Sequence, residues 1–357
     1  MAPLNSHVPD ALPPARAAIW RGVYAALDLG THNCRMLIAV PQVGPDSAAA
    51  AGGFRVIESF SRIVRLGEGL HEAGRLGEPA MLRARAALEA CAARLARYPI
   101  RGLRAVATEA CRQAPNGPAF LADMRAATGL PLELISPREE AGLAVESCAS
   151  LIAGDGRRML LFDIGGGSTE LAWLRLAAAG PPDLIGYLSL PVGVVTLADR
   201  YRDSVATEAG FAAIVADLAA RFATFEQVHC IGHEIRQGGV RLLGTSGTIT
   251  TLAAVALGLP RYRRQDVDGA RLTGAAADAA LAALCTLGPE GLLAHPCIGP
   301  ERAEYVLPGC AIFSAIRRLW PAPEVIVADR GLREGMLARL IRAGQARPRP
   351  LGRGSAP

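Results

Sequence analysis

Leu160-Leu161-Phe162-Asp163-Ile164-Gly165-Gly166-Gly167-Ser168-Thr169-Glu170-Leu171 decides how this chain is read. An apolar run of strand type ends in Asp163. Three glycines, a Ser and a Thr follow, and a second apolar run opens behind Glu170. Glycine has no Cβ and tolerates positive φ, so backbone there can approach a ligand closely. Successive bare N–H groups in such a turn make an anion nest. Asp163 and Glu170 flank it, and their oxygens suit a hard cation. The stretch predicts a phosphate-plus-metal turn between two strands. An ordinary Gly-rich hairpin is the alternative.

A second copy favours the first reading. Tyr24-Ala25-Ala26-Leu27-Asp28-Leu29-Gly30-Thr31-His32-Asn33-Cys34-Arg35-Met36-Leu37-Ile38 again runs strand, Asp-x-Gly turn, strand, with Asp28 lying 135 positions before Asp163. A repeat on this scale implies two similar halves. Each would present an Asp and backbone amides to a shared cleft.

At 357 residues, 51% hydrophobic and 20% charged, the chain has the material for two cored domains. The net charge of +5 suits an anionic ligand but singles out no nucleic acid. All 38 basic residues are Arg. That excludes a Walker A lysine and a pyridoxal Schiff base, and leaves Arg, amides or metal for anion binding. The eight cysteines are scattered with no CxxC, which predicts free thiols in a reducing, cytoplasmic setting. Residues 1–19 lack a basic n-region and an apolar core, so no secretory signal is expected. The uncharged window Leu242–Pro260 is dense in Gly, Ser and Thr, and reads as a loop and helix, not a membrane span.

Along the chain, residues 1–19 read as a loose N-terminus, 40–53 as a hairpin tip, and 344–357 as a disordered tail. Strands are expected at 54–66, 103–107, 131–135, 184–190, 241–243 and 324–328. Helices are expected from Pro79, after an Asn116 cap, from Ser136 or Pro137, at 207–225, after Thr248, and near 272–285 and 309–319. Glu139 and Glu140 favour a helix N-terminus by dipole alone. The turn Gly244-Thr245-Ser246-Gly247-Thr248 opens a helix, where unpaired N–H groups attract anions. Alternating strands and helices make the class α/β. No G-x-G-x-x-G follows the first strand, so a dinucleotide fold has no motif support.

Seven segments in order carry a resemblance: Asp28–Arg35, Ala107–Arg112 with Asn116, Ile135–Ala141, Asp163–Glu170, Ser189–Gly193, Gly244–Thr248 and Gly331–Gly335. Together they resemble the exopolyphosphatase/guanosine pentaphosphate phosphohydrolase (Ppx/GppA) family of the actin/Hsp70/sugar-kinase superfamily. The resemblance implies two actin-like, ribonuclease H-like domains facing across a cleft. Residues 20–136 with the C-terminal helix 331–343 would form the first and 137–330 the second. It is similar to the short members, without a further helical domain, and family members are often dimers. By resemblance Glu140 is the base for water, Asp163 and Glu170 are catalytic, and Asp28, Asp163 and Glu170 face Mg²⁺ (or Mn²⁺). Arg112 and the turns, with Gly30, Thr31, Asn33 and Arg35, would contact phosphates. So would Gly165, Gly166, Gly167, Ser168 and Thr169, and Gly244, Thr245, Ser246, Gly247 and Thr248. His32 and Cys34 depart from the common Asn and Ser, which bears on selectivity.

The expected activity is release of terminal orthophosphate from inorganic polyphosphate, and conversion of pppGpp to ppGpp as a further one. Such hydrolysis needs positioning, charge neutralisation and an oriented water. No specific nucleic acid, and no membrane, is expected as partner. A kinase or ATPase of the superfamily and a non-catalytic polyphosphate or alarmone sensor are the rivals. The pair His229 and His233 could suggest zinc, but two histidines without a placed third ligand favour a structural role. The run Arg261–Arg264 could meet a polyanion, though a solvated loop fits it better.

Overall fold

The computed structural model describes residues 22–42, 53–152, 157–177, 180–201 and 204–346. The expected loose N-terminus, most of the hairpin tip and the chain beyond Ala346 lie outside these. Residues 344–346, read as tail, instead finish the last helix.

β1 (Val23–Leu29) is apolar on both faces because its sheet is covered on both sides. Val23, Ala25, Leu27 and Leu29 point into one cluster, and Tyr24 and Ala26 into another. β1 pairs antiparallel with β2 (Asn33–Pro41), and β2 with β3 (Phe54–Ile63). On its other side β1 runs parallel to β4 (Ile100–Ala107), and β4 to β5 (Leu132–Leu134). The order is β3-β2-β1-β4-β5. Helices α1 (Glu78–Leu95) and α2 (Gly117–Thr128) cover the first face through Leu88, Cys91, Phe120 and Leu121.

The second sheet repeats the plan. β6 (Arg158–Ile164) pairs antiparallel with β7 (Thr169–Arg175), and β7 with β8 (Asp183–Leu190). β6 also runs parallel to β9 (Val240–Thr245). β10 (Arg271–Thr273) and β11 (Glu324–Ala328) extend it to the order β10-β11-β9-β6-β7-β8. Read from β8 to β11, this is the strand plan of the first sheet, so the fold class is α/β with two actin-like halves. The three hairpin strands of each half place an Asp at the same end of the first strand.

α3 (Pro137–Ser147) lies where the halves meet. Ser136 Oγ accepts from Glu139 N at 3.2 Å and caps it, with Pro137 in the first turn. Leu143 packs in the cluster that covers the first sheet, and Ala144 and Val145 in one that covers the second. No clean cut at residue 136 therefore divides the two cores. α4 (Val194–Tyr201), α5 (Glu208–His229), α6 (Gly247–Ala256) and α7 (Gly274–Thr286) follow. α8 (Ala303–Leu319) starts six residues before the expected 309, running through Pro308, because Val306, Leu307 and Pro308 are all buried. That burial outweighs the hydrogen bond Pro308 cannot make. α9 (Leu332–Ala346) returns to the first sheet through Leu332, Met336, Leu337 and Ile341.

Two local expectations fail. Asn116 precedes α2 but makes no side-chain cap, and its amide instead bridges the Leu76 backbone at 2.9 and 3.1 Å. None of Gly165, Gly166 and Gly167 has positive φ. Space, not backbone freedom, explains Gly167, where an added Cβ would overlap Thr31 of the other half. No single helix among the described residues is long and apolar enough to cross a membrane.

Candidate active site

The sheet register assembles the site. Asp28 on β1 lies opposite Arg35 on β2, seven residues on. Asp163 on β6 lies opposite Glu170 on β7, again seven residues on. The two hairpins are thus alike in shape and opposite in the charge of the second member. Their turns touch: a Cβ on Gly166 would lie 3.2 Å from His32 Cβ. Between them opens a cleft of about 380 Å³.

Five carboxylates line it, and one of them, Asp329, accepts from the Tyr262 hydroxyl at 2.7 Å. Glu140, Asp163 and Glu170 are buried, at 7%, 6% and 2% exposure. Asp28 Oδ1 is out of reach of solvent and has no hydrogen-bond partner. Burial favours the neutral acid. It pushes Asp28 up to about 6, against the pull of Arg333 and Arg35 and with a push from Asp163. Burial pushes Glu140 up to about 8 while Arg112 opposes it. Glu170 is raised well above the usual range by burial, then by Glu140 and Asp163. Asp163 is raised by burial and held back by Ser246, whose hydroxyl donates to Asp163 Oδ1 in a short bond.

Guanidinium groups face these acids. Arg35, Arg302, Arg330 and Arg333 line the cleft. Arg330 is held by Asp268 at 2.9 Å. Burial and the neighbouring Arg333 both disfavour the charge on Arg35, and Asp28 partly restores it. Two crowded guanidiniums side by side in a cleft are a receptor for an anion. α6 begins at the cleft wall, so its first-turn N–H groups add to that potential. Ser246, just before it, has φ 78° and ψ −178°, a conformation nearly reserved for glycine. This strained backbone is what lets Ser246 reach Asp163.

All the expected site residues line the cleft except four. Thr169 Oγ1 donates to the Val192 carbonyl at 2.7 Å, and Thr245 Oγ1 to the Arg330 carbonyl in a short bond. Gly244 is packed on Phe162, where a Cβ would not fit. Arg112, expected on phosphate, instead donates to Glu140 Oε2 at 3.0 Å, to Glu109 Oε2 and to the Ile135 carbonyl at 2.9 Å. These four shape the site from behind.

A family model for Ppx/GppA phosphatases matches residues 47–343. The chain belongs to the Ppx/GppA phosphatase family. A guanosine-5'-triphosphate,3'-diphosphate pyrophosphatase of Aeromonas salmonicida (strain A449) is 30% identical over 321 residues, covering 89% of this chain. The chain spans 59% of that relative's length. The crystal structure of the Aquifex aeolicus family member is 26% identical, with TM-score 0.72, over 91% of this chain and 99% of that one. That of an exopolyphosphatase-like protein is also 26% identical, with TM-score 0.79 and the same coverage.

Several cleft residues of this Ppx/GppA chain had no signal in the sequence. Arg302 and Tyr305 come from around the start of α8, far from any glycine turn. Tyr305 meets His32 edge to face, ring centroids 4.6 Å apart, and the adjacent Glu304 pairs with Arg65 at 2.8 Å. Arg333 did have a signal, since it sits in the Gly331–Gly335 segment. Among the described residues no group of three His, Cys, Asp or Glu is gathered as a metal cage. His233 bonds Gln237 at 2.8 Å and His229 packs on Phe225, as a structural role predicts. Of the basic run, Arg263 pairs with Asp266 and Arg264 with Asp329 and Glu334.

Proposed function

We propose that this chain is a magnesium-dependent phosphoanhydride hydrolase. It releases terminal orthophosphate from inorganic polyphosphate and also converts pppGpp to ppGpp. The observation that carries the reading is five carboxylates and four guanidiniums lining one cleft walled by the paired Asp turns. The name of the Aeromonas relative supports the pppGpp reaction, and the likeness to an exopolyphosphatase-like structure supports the polyphosphate one.

The donor set fits Mg²⁺. That ion is commonly held by one or two carboxylates, with waters and phosphate oxygens completing its octahedron. Asp28, with an orphaned buried oxygen, and Asp163 supply such a pair, with Glu170 beside them. When bound, the ion would neutralise charge on the phosphate oxygens. Arg35 and Arg333 hold the terminal phosphate oxygens, and the turn backbones at Gly30–Asn33 and Gly165–Ser168 surround them. Water oxygen bonds to the terminal phosphorus as the bridging P–O bond breaks. Glu140 takes the water proton, and the shortened chain leaves with the bridging oxygen. A carboxylate near its usual range is a weak base for water, and burial brings Glu140 closer to the working pH.

Glu140→Gln is expected to cut kcat for phosphate release by about 10²–10⁴-fold with KM nearly unchanged. Release at the wild-type rate would refute the base assignment. Full activity in excess EDTA would refute the metal dependence.

A further inference from the structure

Arg112 is gripped on every nitrogen. Nε donates to Glu109 Oε2 at 2.8 Å, and Nη2 donates to the same oxygen in a short contact. Nη2 also donates to Glu140 Oε2 at 3.0 Å, and Nη1 to the Ile135 carbonyl at 2.9 Å. The other oxygen of Glu109 accepts from Gln113 Nε2 at 2.6 Å. The side chains of Glu109 and Glu140 are each 9% exposed, and that of Arg112 18%. An i,i+3 ion pair on a wet helix surface contributes little. This one is out of water, and one cation serves two carboxylates. Glu109 stands outside the catalytic cleft. It lines a neighbouring pocket of about 260 Å³, beyond the Thr31–Gly167 contact that both spaces share.

We propose that Glu109 is a positioning residue for Glu140: it clamps Arg112 through Nε and Nη2, leaving the guanidinium one bond for Glu140 and so presenting that carboxylate to the cleft. The inference rests on Glu140 being the base.

The physical logic is competition for one cation. A buried carboxylate with an Arg to itself forms a bidentate pair that strongly favours the charged form. Such a carboxylate is a poor proton acceptor and is turned away from water. Glu109 occupies the Nε edge and shares the guanidinium's charge with Glu140. Asp28 from β1, Asp163 from β6 and Glu170 from β7 push Glu140 toward the neutral acid, and of the cleft cations Arg112 is the one hydrogen-bonded to it, so its sharing matters. Once Glu109 loses its charge, Arg112 is free to turn its full fork to Glu140. The one-turn helix Glu109–Gln113 follows directly on β4, so the clamp is built on the rigid end of a sheet strand.

The test uses the full chain with polyphosphate and Mg²⁺. Glu109→Gln keeps the shape and removes the charge. It is expected to lower kcat by about ten-fold or more, with KM within about two-fold, and to move the acid limb of the kcat–pH profile to lower pH. Glu109→Asp keeps the charge at shorter reach and is expected to fall between. If Glu109→Gln fails to fold, Glu109→Asp carries the same two readouts, and wild-type values for both overturn the proposal. A loss of kcat that follows only the folded fraction, with the pH profile unmoved, also overturns it, because that is a purely structural role. Glu140→Gln, measured in parallel, separates the two claims. If it is active, the base reading falls; if it is inactive while Glu109→Gln behaves as wild type, only the clamp falls.

Discussion

Asp28 concentrates the electrostatic tension of the site. Its Oδ1 is buried without a partner, and burial lifts its proton affinity to about 6 against an ordinary 3.8. A carboxyl raised in the folded state adds stability that is complete below the ordinary value and is lost as pH rises through about 6. Metal-free protein should therefore be destabilised near neutrality by Asp28, by ~3 kcal/mol at most. Asp28→Asn is expected to raise the melting temperature of EDTA-treated protein at about pH 7.5, and to change it little at about pH 4. Thermal melts at the two pH values check this. Equal shifts at both would mean that the gain is packing, not charge.

The turn between β9 and α6 shows how an element stores a local conflict. Ser246 at φ 78° is a side chain in a glycine conformation, and its hydroxyl is bonded to Asp163. Glycine there removes the strain, worth about 1–3 kcal/mol, and also removes the bond. Ser246→Gly should be as stable as the wild type or more so by urea denaturation, yet less active in phosphate release. A variant that is both less stable and fully active would show that the hydroxyl serves the fold and not the site. The hairpin turns obey a different rule. Their glycines avoid positive φ and are there because Gly167 must admit Thr31 from the opposite half.

The molecule as a whole is two copies of one strand plan closed on each other. The turns meet at Thr31–Gly167, and Arg65–Glu304 and His32–Tyr305 span the halves. The ion pair is 40% and 49% exposed, so it contributes little on its own. A ligand that touches both hairpins should do more. Saturation at about 100 times Kd stabilises by about 2.7 kcal/mol. Inactive Glu140→Gln protein with Mg²⁺ is expected to melt higher with polyphosphate or pppGpp and not with ATP. A shift with ATP alone would favour the kinase or ATPase reading of the cleft.

The sequence by itself determined the two Asp turns, the α/β alternation and the hairpin walls of the cleft, because strand periodicity and glycine turns are local features that need no partner to be read, and the order of seven short segments carried the family. It also placed Arg35, which the register sets opposite Asp28. Tertiary structure decided what depends on neighbours far along the chain. Arg112 was legible as a site residue but not as a holder of Glu140, since that role requires Glu109 and the Ile135 carbonyl to meet it. Arg302 and Tyr305 reach the cleft only because α8 starts early, and burial of Pro308 overrides its helix-breaking character. The proton affinities of Asp28 and Glu140 arise only from folding, because desolvation exists only once the two halves enclose the carboxylates.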